Sequence, residues 1–199
     1  VYLQDGSVLE DDLRCLALMQ HHGAPTRLVD FTKSPFVAAF FALWHLQGDA
    51  AVFALNTPAL WKAAPRFDPS LHRDVIDLRK PGNYQRYFAN NNHGLVWFGE
   101  PNQMDARLVA QSGILVVPGM LDVPLETLLA GYDSDEPLLR KFILPAQVRE
   151  EALRALYRMN ITAATLFPGL DGLARSIGYE LEMVWEQLIV DYRQRLSTD

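Results

Sequence analysis

Apolar residues recur at helical spacing over residues 8–20, where Leu9, Leu13, Leu16 and Met19 or Gln20 share one face. Ser7 and Glu10 stand just before in the pattern of a capping box, the hydroxyl accepting from a first-turn amide and the carboxylate reaching back to the serine N–H. His21, His22, Gly23 and Pro25 predict the stop. Residues 26–31 alternate as a strand does. Ser34 followed by Pro35 marks a second helix start, with serine as N-cap and proline at the first helical position. Residues 36–46 are apolar nearly all round, which predicts a helix buried on most sides.

The pattern then predicts a strand over 50–55 and a short helix over 58–63. Residues 64–93 are mostly polar, with Pro65, Pro69, Pro81, Gly82 and Asn90-Asn91-Asn92, and predict a long excursion with one short element over 74–78. Beyond it come a strand over 95–98, a helix over 105–111, a strand over 113–117, a helix over 124–130 stopped by Gly131, and a strand over 139–144. Over 145–159, Val148, Ala152, Ala155, Leu156 and Met159 form one stripe, with Asn160 placed to cap the end. The longest predicted helix is 171–196, capped by Asp171, with Leu181, Val184, Trp185, Leu188, Tyr192 and Leu196 on one side. This order predicts an α+β fold: a single domain over 1–199 with a small central sheet flanked by helices.

Length changes this picture little, since 199 residues suit one domain of ~100–200. The longest apolar run, 36–44, has nine residues, whereas a spanning helix needs ~20, so no membrane segment is expected. No basic stretch followed by an apolar one opens the chain as in a secretory signal. It opens on Val1 rather than Met, which suggests a fragment lacking an N-terminal element. Cys15 is the only cysteine and falls within an apolar helical pattern, so it reads as a buried small hydrophobe in a reducing compartment, the cytoplasm.

The net charge of −6 argues against a dedicated nucleic-acid binder. Charge is uneven: 66–88 carries Arg66, Arg73, Arg79, Lys80 and Arg86 against Asp68, Asp74 and Asp77. That middle is either a solvated loop or a seat for an anion. His21 and His22 lack the spacing of a helical zinc site, and no metal is expected. A phosphate loop, a dinucleotide-binding glycine motif and a hydrolase elbow are absent from the sequence.

Three stretches gather groups able to do chemistry. Gln20, His21, His22, Thr26, Arg27, Asp30, Thr32, Lys33 and Ser34 crowd into fifteen residues at a strand end and a helix start. A helix N-terminus there suits phosphate or carboxylate; capping and an Arg27–Asp30 pair are the structural reading of the same residues. Next, Arg107 and Gln111 stand four apart after Asp105 and share a helix face, a planar donor fork beside an amide. Lastly, residues 166–173, Leu-Phe-Pro-Gly-Leu-Asp-Gly-Leu, read as a turn into a helix.

Together these stretches resemble the FRG domain family. Residues 20–32, QHHGAPTRLVDFT, with Ser34-Pro35 and Phe40-Phe41-Ala42, are similar to its central QHxGxPTRLLDWT signature. Asp105-x-Arg107 with Gln111-x-Gly113 is similar to its N-x-R-x-x-x-Q-x-G segment, and the Phe-Pro-Gly-Leu-Asp-Gly stretch to its C-terminal one. The chain departs at Phe31, Asp105 and Leu115, and the Phe/Tyr-Arg-Gly motif itself is not found. The resemblance implies an effector or accessory module of bacteria or phages. A looser likeness to ADP-ribosyltransferases implies NAD-dependent ADP-ribosyl transfer to a macromolecule, with Asp105 or Glu100 where the acid would stand.

That likeness casts Arg27, Ser34 and the residues around them (Gln20, His21, His22, Thr26 and Asp30), together with Arg107, as binding NAD or another small anionic or nucleotide ligand. Thr32, Asp105 and Gln111 become the catalytic candidates. The alternative is a non-enzymatic nucleotide- or protein-binding module in a defence or conflict system. A nuclease ranks last, for want of an acidic metal cluster and of positive charge. On either leading reading, 20–34 and Arg107/Gln111 are expected to converge on one pocket.

Overall fold

The computed structural model describes residues 6–45 and 48–196. Helix α1 (Asp12–His21) starts later than the hydrophobic pattern predicts, because its N-cap is Asp11, whose carboxylate accepts the Arg14 amide at 3.0 Å. The backbone of the predicted capping box forms a 3-10 turn, Gly6–Glu10, and the Ser7 side chain lies outside the described residues, as does Val1. Asp11 also sets a negative charge against the positive end of the helix, which favours it over the earlier serine. Gly23 follows the helix with φ 83°, a left-handed conformation that only a residue without Cβ adopts cheaply.

Strand β1 (Val29–Thr32) leads to α2 (Pro35–Trp44), capped as predicted: the Ser34 hydroxyl accepts the Val37 amide at 3.3 Å. Val37, Phe40 and Leu43 of α2 are buried and Ala39, Ala42 and Trp44 pack half-buried against the same core, whereas Phe36 in the first turn and Phe41 are 52% and 42% exposed; Leu46 lies outside the described residues. After α2 come β2 (Ala50–Leu55), α3 (Thr57–Lys62), β3 (Ala64–Pro65), α4 (Asn83–Tyr87), β4 (Val96–Gly99), α5 (Ala106–Ala110), β5 (Gly113–Pro118) and α6 (Leu125–Ala130). The rest is β6 (Tyr132–Asp133), β7 (Leu139–Leu144), α7 (Arg149–Arg158), α8 (Ala163–Leu166), α9 (Leu170–Tyr179) and α10 (Glu186–Leu196). Small antiparallel sheets flanked by helices make the fold α+β.

Two compact units share the chain: Val1–Lys33, Phe53–Met104 and Gly113–Phe142 form one, and Ser34–Val52, Asp105–Ser112 and Ile143–Asp199 the other. The first unit holds the three-stranded sheet β1-β5-β4, with Val29 opposite Val116 and Phe98 opposite the same residue from the other side. Val116 and Val117 of the central strand point to opposite faces of the sheet and both are buried, so both faces are covered there. Leu60, Val96, Phe98, Leu128 and Tyr132 pack with Val116 into its core. The Tyr132 hydroxyl accepts the Val96 amide at 2.7 Å and donates to the Val96 carbonyl at 3.3 Å, while burial pushes its phenol up to about 12.

Residues 64–93 differ most from expectation. Residues 74–78 form turns rather than a regular element, and the segment is no solvated loop: Arg73, Ile76, Asp77, Leu78, Tyr87 and Phe88 are buried. A few apolar residues spaced through polar sequence anchor it to the core without leaving any periodic pattern.

In the second unit α2 packs against α7 around Val37, Phe40, Leu43, Leu153, Leu156 and Leu166. Arg149 closes the end of α2, its Nε donating to the Leu43 carbonyl at 2.8 Å and Nη2 to Trp44 at 3.0 Å, where helix carbonyls lack partners. Asn160 takes φ 61° just past α7, as its predicted capping role requires. Helix α7 itself begins at Arg149 after a 3-10 turn, Ala146–Val148. The N-cap of α9 is Gly169, and Asp171 sits within the first turn instead. A π-helical stretch, Glu180–Trp185, separates α9 from α10, so the helix predicted over 171–196 is helical throughout but not uniformly α.

Candidate functional site

Gln20, Thr26 and Asp30 of the first unit are tied to one another. Gln20 Nε2 donates to Asp30 Oδ1 at 2.7 Å, the Thr26 hydroxyl donates to Gln20 Oε1, and Thr26 Oγ1 accepts the Leu28 amide at 3.2 Å. This chain fixes the loop between α1 and β1. Arg27 is buried; its Nη1 donates to the Phe88 carbonyl, and its guanidinium lies 5.7 Å from the centre of the Tyr84 ring. Asp30 is therefore held by Gln20, and Arg27 clamps main chain of the residue 64–93 segment. His21 and His22 stand exposed at the end of α1, their rings in a T-shaped contact with centroids 5.1 Å apart. Thr32 lies opposite Gly113 in the β1–β5 ladder.

The basic middle is likewise engaged within the first unit. The Arg73 guanidinium is buried 4.0 Å from the Trp61 ring centre, and its Nη2 donates to the Phe98 carbonyl at 2.9 Å. Burial lowers the Arg73 pKa, opposed by the charge of Asp77. Burial pushes the Asp77 carboxyl up, but hydrogen bonds from the Arg79 side chain and backbone, with the charges of Arg79 and Arg73, outweigh it and hold the carboxyl below the usual range. The Asp77–Arg79 contact is a two-pronged pair, at 2.7 Å through Nη2.

In the second unit the other two motif stretches meet. Asp105 is the N-cap of α5, accepting the Leu108 amide at 2.7 Å, a task asparagine performs equally well. The departure from the family's asparagine thus preserves the cap. Arg107 in the first turn of α5 and Gln111 at its C-cap both reach the 166–167 turn. Gln111 Nε2 donates to the Leu166 carbonyl at 3.0 Å, and the Arg107 guanidinium stands 4.9 Å from the Phe167 ring centre. Arg175 of α9 reaches the same ring at 5.3 Å, and Phe41 of α2 packs edge-on to it at 5.7 Å.

The turn that returns α9 to this ring depends on glycine. Gly169 has φ 118°, and a Cβ on buried Gly172 would meet the Phe167 carbonyl oxygen at 1.9 Å. Two like charges are thereby gathered at one aromatic ring, and neither arginine has an ion pair among the described residues.

Arg107 and Gln111 were legible as candidates. Arg175 was not, because its nearness to Arg107 arises only through the Pro-Gly reversal at 168–169. The Gln20–Asp30 residues and Thr32 belong to the first unit, while Ser34, Asp105, Arg107 and Gln111 belong to the second. Among the described residues no cluster of three or more metal-ligating side chains occurs, and no helix is long and apolar enough to cross a membrane.

With this geometry in view, the family model of the FRG domain matches residues 3–49, a segment running through α1, the Gln20–Ser34 stretch and α2. The chain is similar to FRG domains over that segment, in agreement with the motif the sequence carries. No curated protein and no solved structure matches it.

Proposed function

We propose that the chain is an FRG-domain module that binds a phosphorylated nucleotide or similar small anion at Arg107 and Arg175. The observation that carries this reading is the two guanidiniums on the Phe167 ring without a carboxylate partner among the described residues. A pyrophosphate offers oxygens to both, and guanidinium forks match phosphate geometry. The ring, already packed by Phe41, holds the two cations in place rather than offering a face for a base to stack on.

The groups named for catalysis have local structural tasks, Thr32 in the sheet, Asp105 at a cap and Gln111 on the Leu166 carbonyl. This supports binding over ADP-ribosyl transfer, with NAD kept as a candidate ligand. Motif stretches in both units support taking 1–199 as one FRG-like domain. We place it in the cytoplasm, on its single cysteine, and in a bacterial or phage conflict system, on the family resemblance.

Calorimetric titration with NAD, ADP-ribose and inorganic pyrophosphate tests the reading. Wild-type protein should bind at least one of them. Arg107→Ala and Arg175→Ala should each weaken binding about tenfold or more, as expected for a lost charge-assisted contact. Equal affinity in all three proteins, or no binding at all, contradicts it. Nicotinamide release from NAD, followed in the same samples, would replace this reading with the transferase.

A further inference from the structure

The helical run that begins at α9 ends on an uncovered apolar face. Leu181, Trp185, Leu188, Ile189, Tyr192 and Leu196 are all exposed, Leu181 by 60% and Tyr192 by 63%. Contiguous apolar surface of this kind marks an interaction site in a folded protein. Along the chain the six residues are separated by 4, 3, 1, 3 and 4 positions, a spacing that reads the same in both directions.

A pattern symmetric about the point between Leu188 and Ile189 satisfies the condition for a twofold contact, in which residue i of one copy meets j of the other and j meets i. We propose that this face seats a second copy of the same chain, antiparallel, about a twofold axis between Leu188 and Ile189. In that register Leu181 lies against the partner's Leu196, Trp185 against the partner's Tyr192, and Leu188 against the partner's Ile189. Each layer is apolar, and the outer pairs of Trp185 and Tyr192 are aromatic on aromatic.

Area supports the same occupant. The six side chains leave on the order of 700 Å² uncovered per copy, close to the ~800 Å² per partner of a standard interface. One helix pair of that size, with no further contacts to add, makes a reversible dimer rather than an obligate one. The contact is independent of the arginine site, which depends on α5 and the first turns of α9.

Sedimentation velocity of the full chain, from low to several hundred micromolar, tests it. Wild-type protein should move from monomer toward twice that mass as concentration rises. Leu188→Glu, which sets two charges at the axis, should stay monomeric throughout with an unchanged circular dichroism spectrum and melting temperature. Tyr192→Glu serves as the second variant should the first lose its fold.

The register is read by cysteine pairing in a Cys15→Ser background. Leu181→Cys and Leu196→Cys should cross-link when mixed, and neither alone. A wild-type chain that stays monomeric at every concentration, a Leu188→Glu dimer as tight as wild type, or Leu181→Cys cross-linking to itself would each overturn the proposal.

Discussion

At the scale of single residues, the arginines separate by what they touch. Arg27 is buried against the Phe88 carbonyl and the Tyr84 ring, so its task is to hold the residue 64–93 segment. Arg27→Ala should cost about 2–3 kcal/mol of unfolding free energy, the value of a charge-assisted hydrogen bond whose acceptor is left buried. Ligand affinity per folded molecule should not change, a contrast read from urea unfolding and calorimetry on one preparation. Lost affinity at unchanged stability would return Arg27 to the binding site.

Asp77 shows the opposite dependence on its surroundings. Its folded-state pKa is depressed by Arg79 and Arg73 despite burial, so the stability it contributes is complete above the unfolded value of about 4 and is lost as pH falls through the lower folded value. The gap in unfolding free energy between wild type and Asp77→Asn should therefore be full at pH 5 and shrink toward about pH 2. A gap that stays constant over that range would show that the ion pairs contribute nothing to it.

At the scale of elements, local rules explain what was legible. Ser34-Pro35 predicted the start of α2, and runs of apolar residues between turn signals predicted β2 and β7 with their observed limits, because both signals act within a few residues. The start of α1 falls later than the apolar spacing predicts because Asp11 supplies the N-cap. The residue 64–93 segment misled because its anchors, Ile76 and Phe88, are buried by contacts distant in sequence that no periodicity records. Helix α2 gives the check on burial. Phe40, 2% exposed, should cost about 3–5 kcal/mol on truncation to alanine. Phe36, exposed in the first turn of the same helix, should cost within about 0.5 kcal/mol. Equal costs in thermal unfolding would contradict the burial of Phe40.

At the scale of the whole molecule, two of the three motif stretches come together in one unit, around Phe167, while the first is absorbed in fixing the other. The sequence pointed to Arg107 and Gln111 but not to Arg175, since only the reversal through Gly169 and Gly172 brings α9 back to the ring. The most direct test of the central claim is the ligand-induced rise in melting temperature, measured for wild type and for Arg175→Ala with and without saturating ADP-ribose. A ligand that binds the folded state raises the midpoint by an amount that grows with the logarithm of its concentration over Kd. The account predicts matching midpoints for the two free proteins, because Arg175 is exposed, together with a rise on adding ligand that is clearly smaller in the variant, by about 1.4 kcal/mol of stabilisation for each tenfold loss of affinity. The same rise in both proteins would contradict it.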